Sequence, residues 1–292
     1  MKKYWLILIF SSLGILFLPA QLLWKITGKG LKKPSYLFGT HHLIPISFLD
    51  SVPNLYKAFN SCDVVVSEMV MDNIDASSKI QQAAIMPNHT KISNLITDSI
   101  QYQFVDRELK RVLKMGLKDL STLNPTMILT MYELELYKKA TGYTDNKQSD
   151  SFFQLVAAQK GKKVIGLENI DQQISILFGN GTLKRQVQVL VETLHQNESV
   201  LQEIIHVNNL YKKGDLKELW MLSNRKGNVI DMTDDEYAKL VDDRNADWVK
   251  RLPYLMQNSP CFIAVGALHL PGDKGLIKLL EDEGYRVSPE RK

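Results

Sequence analysis

Residues 37–45 read LFGTHHLIP, and residues 264–272 read AVGALHLPG. Each is an apolar run that ends in Gly-x-x-His, followed by leucine and a nearby proline. Runs this short and apolar are expected to be buried strands, and a glycine at the exit lets the backbone turn sharply and approach a site closely. The histidines so placed at strand exits are His42 and His269. The echo between the two segments is what a remnant of internal duplication would leave.

Working outward, five β-rich runs stand out: Ser35 to Gly39, Asp63 to Ser67, Lys163 to Leu167, Phe262 to Gly266 and Tyr285 to Val287. Each is short, apolar or β-branched, and bounded by polar or glycine-containing turns. Long helical patterns separate them, from about Ile92 to Tyr137 and from about Ile170 to Met256. Asn124 with Pro125 predicts an N-cap and first-turn proline, Gly142 to Ser149 a loop, and Thr233 with Glu236 a capping box. The expected fold is α/β: a mixed or mostly parallel central sheet flanked by helices, with helical insertions at about 92–150 and 170–256 in a single domain over 21–292.

Polar residues follow four of these strands: His42 the first, Glu68 the second, Glu168 the third and His269 the fourth. Open α/β sheets bind ligands beyond the carboxyl ends of their strands, so parallel neighbours would converge these groups. Two imidazoles and a carboxylate could then reach one divalent ion, such as zinc, manganese, iron or cobalt, with a position left for water. Glu68 reads as a ligand or as the general base for that water. Glu168 could share the task, or cap the helix beginning near Asp171. His41 competes with His42, since adjacent side chains leave a strand in different directions; the match to Gly266–His269 selects His42 and leaves His41 a supporting position.

Arg244 lies on a helix whose apolar stripe runs Tyr237, Val241, Trp248, Leu252 and Leu255, at a position that the spacing assigns to the buried face. A buried guanidinium needs a partner. That partner is either a substrate oxyanion, which Arg244 would stabilise, or Glu68 or Glu168 in a salt bridge that orients the site.

Composition narrows the classes. The 292 residues, 45% hydrophobic and 23% charged, describe a globular chain, and a net charge of +4 from 36 basic and 32 acidic residues without clustering argues against nucleic acid. Lys2 and Lys3 precede an apolar run from Tyr4 to Pro19, and Ala20 comes before Gln21: the layout of a signal peptide over residues 1–20. An uncleaved membrane anchor through residues 4–20 is the alternative, because Leu18 is bulky and apolar character resumes at Leu22 to Trp24. Export to the periplasm or outside the cell follows in either case. Cys62 and Cys261 each precede a strand; they either form a bridge or stay as buried thiols.

The ordered set LWKITGKGLKKPSYLFGTHHLIP, DVVVSEM, KGKKVIGLENIDQQ, DDRNADWVKRL and FIAVGALHLPGDKGLIKLLEDEGYRV resembles the TraB/GumN family, to which the Tiki metalloproteases belong. The resemblance implies an α/β fold related to the erythromycin esterase and ChaN-like group. It places the paired Gly-x-x-His motifs on Gly39–His42 and Gly266–His269, the acidic residue on Glu68, and an Arg-Asn pair on Arg244 and Asn245. Related sequences often carry another residue at the position of His41. The resemblance further implies a divalent metal, manganese, cobalt or zinc, and a peptidase acting on a peptide or other small acyl substrate. The competing expectation is an envelope binding protein that captures a peptide, haem or metal ion without turnover.

Overall fold

The structure, a computed structural model, describes residues 21–70, 74–144 and 149–290, so the segment read as a signal or anchor lies outside it. Six strands form one sheet in the order β4-β3-β5-β2-β1-β6. They are β1 (Leu23–Thr27), β2 (Ser35–Thr40), β3 (Val64–Ser67), β4 (Lys163–Gly166), β5 (Cys261–Gly266) and β6 (Arg286–Pro289). The contiguous β4, β3, β5 and β2 are parallel, whereas β1 runs antiparallel to β2 and β6. All five expected strands are present, in the expected α/β arrangement. The sixth, β1, corrects the reading of Leu22 to Trp24 as renewed N-terminal apolar character. These side chains are apolar because β1 is sandwiched between two strands, with Leu23 and Ile26 fully buried.

The central strands read as continuous apolar runs because both faces are covered. Leu37, Phe38, Val65, Val66, Phe262, Ile263 and Val265 are all fully buried in one core. A second apolar core lies within the helical segments, where helices Ser99–Leu113, Pro125–Thr141 and Leu183–His195 meet around Val105, Leu109, Ile128, Tyr132, Leu190 and Leu194. Tyr211 joins the two regions: its hydroxyl donates to the Gly39 carbonyl at 2.9 Å, at the exit of β2.

The cap signals correspond to real helix starts. Asn124 accepts from the Thr126 N–H at 2.9 Å, with Pro125 in the first turn, and Thr233 and Glu236 form a reciprocal capping box. Gly142, left-handed at φ 69°, ends the helix before the expected loop, and the next helix begins at Ser149. Asn124→Ala is expected to cost about 1 kcal/mol, read as a lower midpoint in urea unfolding; no change would mean that water caps this terminus as well as the side chain does.

Both cysteines are free and buried, and burial first of all pushes each thiol up to about 12. Among the described residues, no helix is long and apolar enough to cross a membrane.

Candidate active site

Because β4, β3, β5 and β2 are parallel and adjacent, their exits deliver Glu168, Glu68, His269 and His42 side by side in that order. The ladder between β3 and β4 continues past the strands: the Glu168 N–H donates to the Glu68 carbonyl at 2.8 Å. Two carboxylates therefore start from neighbouring backbone positions. Arg244 separates them.

Arg244 arrives on helix Asp243–Asn258, which follows a π-helical turn at Ala238–Asp242. It is buried, as its place on the apolar stripe required. Its Nε donates to Glu168 Oε1 at 2.7 Å and its Nη2 to Glu168 Oε2 at 3.0 Å, a bidentate pair. Nη2 also donates to Glu68 Oε2 at 2.5 Å. Nη1 donates to the Leu240 carbonyl at 3.0 Å and lies 3.0 Å from His269 Nε2. Every N–H of the guanidinium is thus directed at a protein acceptor. Its Cζ sits over the Trp248 ring, 4.7 Å from the centroid.

An arginine can only donate, so His269 Nε2 must accept and the imidazole is neutral, with its proton on Nδ1. Asn245 completes this assignment: its Nδ2 donates to the carbonyls of His269 and Lys274, which turns Oδ1 toward His269 Nδ1 at 2.8 Å. Trp248 packs on the same imidazole, ring centroids 4.4 Å apart.

Glu68 is the member of this cluster that solvent reaches, with 19% of its side chain exposed against 4% for Glu168, 5% for His269 and 9% for Arg244. Its Oε1 accepts from the Gly266 N–H at 2.8 Å. Burial opposes its ionisation, but Arg244, the Gly266 N–H and, wherever they carry a proton, His269 and His42 outweigh burial and hold the carboxyl well below the usual range. Burial also pushes His269 down, to about 4, with Arg244 and His42 adding to the effect against Glu68. Near neutral pH the cation that Glu68 meets is therefore Arg244.

Glu168 is not a helix cap. Asn169 caps helix Ile170–Gly179, and Glu168 accepts instead from Arg244, Trp248 and Gln173. Of the adjacent histidines, His42 is exposed and lies near enough for a proton on its ring to act on both Glu68 and His269. His41 turns the other way, its ring 5.1 Å from that of Tyr211 and 5.9 Å from that of Tyr137. The two Gly-x-x-His segments are not equivalent. Register pairs Gly266 with Thr40 rather than with Gly39, and a 3-10 turn at Ala267–His269 folds His269 inward.

These residues do not form a ready metal site. Among the described residues no group of three or more His, Cys, Asp or Glu is placed to hold an ion. His42, Glu68 and His269 stand at adjacent strand exits, but Arg244 takes the one lone pair of His269 Nε2 and sets a positive charge against Glu68 Oε2, where an ion would bind.

A profile of the TraB/PrgY/gumN family matches residues 22–289, from the first strand to the last. The chain belongs to this family. It is 25% identical to Metalloprotease TIKI2 of Danio rerio over 91% of its own length, and 21% identical to the Metalloprotease TIKI homolog of Nematostella vectensis over 87%. It spans 60% of the first relative and 64% of the second. No solved structure matches it.

In this family member the motif glycines serve close approach. Neither Gly39 nor Gly266 has a positive φ. A Cβ on Gly266 would lie 3.3 Å from Glu68 Oε1, and one on Gly39 would lie 3.1 Å from the Ala267 Cα. The Gly266 N–H, the Leu240 carbonyl and the indole of Trp248 are site groups that the sequence did not reveal. Only the four-residue spacing of Arg244 and Trp248 hinted at the last.

The cluster makes stability sensitive to acid. An unfolded His269 takes up a proton near 6.5, whereas the folded one stays neutral down to about 4; Glu68 likewise protonates later folded than unfolded. The unfolded chain binds more protons in this window, so stability falls as pH drops. Thermal melts from pH 7 to 4.5 should show that fall, and His269→Gln should flatten its upper part; an unchanged slope in the variant would assign the acid sensitivity elsewhere.

Proposed function

We propose that this chain is a metal-dependent hydrolase of peptide or other small acyl substrates, working outside the cytoplasm, with Glu68 as the general base. The observation that carries the reading is Glu68: an ionised carboxylate, reached by solvent, set among His269, Arg244 and a backbone N–H at the exits of parallel strands. The family, and two relatives named metalloproteases that align along most of this chain, support the hydrolytic class. The metal requirement enters from the names of those relatives, and manganese, cobalt or zinc is the identity we propose for it.

Each oxygen of Glu68 accepts one hydrogen bond and keeps a lone pair for an incoming water, whose proton it takes as the water attacks a carbonyl. Asn245 holds His269 in the tautomer that presents Nε2 to the crevice. Arg244, with each donor engaged, acts as a positioning residue for both glutamates. To stabilise an oxyanion it would have to release one of them.

The test is hydrolysis of a broad peptide library by protein beginning at Gln21, with manganese, cobalt or zinc added. Metal-dependent cleavage that is lost in Glu68→Gln supports the proposal. No cleavage, with a peptide, haem or metal ion still captured by Glu68→Gln, would replace it with the envelope binding reading. Fractionation of the full chain, with N-terminal sequencing, tests export: a mature start at Gln21 is expected, and a cytoplasmic uncut chain would refute it.

A further inference from the structure

Arg244 holds positions that belong, in a metal-dependent reading of this site, to a divalent ion. It contributes the positive charge between Glu68 and Glu168, it approaches Glu68 Oε2 to 2.5 Å, and it lies 3.0 Å from the one ring nitrogen of His269 free to act as a ligand. His269 Nδ1 is committed to Asn245. The arrangement is complete without any further cation, because Glu168 is also satisfied by Trp248 and Gln173.

We propose that Arg244 is the resident cation of this site, and that a divalent ion binds Glu68 and His269 only in competition with it, by displacing the guanidinium from both. The inference rests on the metal-dependent reading above. An ion at Glu68 and a guanidinium at the same oxygen repel each other, and His269 Nε2 has one lone pair to give. The π-helical turn immediately before Arg244 supplies a place for the exchange. Its bonds are those of a locally irregular helix, and Leu240, within it, offers the carbonyl that receives Nη1. Glu168 keeps Arg244 when Glu68 lets it go, so displacement need not expose a lone buried charge.

The experiment is calorimetric titration of the full chain with Mn²⁺ and, separately, Zn²⁺, in wild type, Arg244→Gln, and Arg244→Gln combined with Glu168→Gln. The double variant removes one carboxylate with the arginine and guards against a single variant that fails to fold. Tightening by about tenfold or more without Arg244, abolished by adding Glu68→Gln, is the expected result. In wild type, saturating Zn²⁺ should shift the Arg244 Nη–H resonances, whose bonds to Glu68 and His269 are the ones displaced. Equal Glu68-dependent affinity with and without Arg244, or unmoved resonances at saturation, would overturn the competition while leaving the metal reading intact. No Glu68-dependent binding in any variant would overturn both.

Discussion

Arg244→Ala should cost about 3–5 kcal/mol of stability, the usual price of removing one partner from a buried charged pair. For a chain of this size that is a fall in melting temperature on the order of 10 °C. The guanidinium joins two carboxylates whose backbones are hydrogen-bonded to each other, so its removal leaves two like charges adjacent and poorly solvated. It also vacates the face of Trp248 and the acceptor of His269. Arg244→Lys should recover part of the loss, because one ammonium restores charge but cannot span Glu168 bidentately and still reach Glu68. Adding Glu168→Gln to Arg244→Ala should recover part as well. Differential scanning calorimetry of the four proteins checks this, and a loss below about 1 kcal/mol, the level of an exposed pair, would show that water solvates the cluster in solution.

Glu68→Gln should lower hydrolysis by about 10²–10⁴-fold, the usual range for loss of a general base, and should cost less stability than Arg244→Ala, because Glu168 keeps Arg244 paired. The amide oxygen still accepts from the Gly266 N–H, and removing one of two neighbouring carboxylates relieves repulsion with Glu168. Activity is thus expected to fall much further than stability at Glu68, and the two to fall together at Arg244. Steady-state rates beside thermal melts distinguish the two patterns. A Glu68→Gln protein that kept activity within a few-fold would remove the carboxylate from the chemistry.

Much of the site was legible because its cues are local. Strand exits are marked by glycine and a change from apolar to polar residues, which placed His42, Glu68, Glu168 and His269 on one sheet edge before any topology was known. The burial of Arg244 followed from a helical period of 3.6 residues. Asn124 and Thr233 marked helix starts because a cap is a contact with residues two or three positions along. β1 was misread for the complementary reason: five residues of mixed character, next to a longer apolar run, carry too little pattern to announce a strand.

The sequence by itself determined the α/β class, the five principal strands, the helix caps and the residues that gather at the strand exits, since each depends on side chains within a few positions of one another. Only the tertiary structure decided strand order, the unequal fates of His42 and His269, and the partners of Arg244. Its carboxylates lie 76 and 176 residues away in the chain. Which of them a buried guanidinium meets depends on how the strands are ordered in the sheet, and no local period encodes that order.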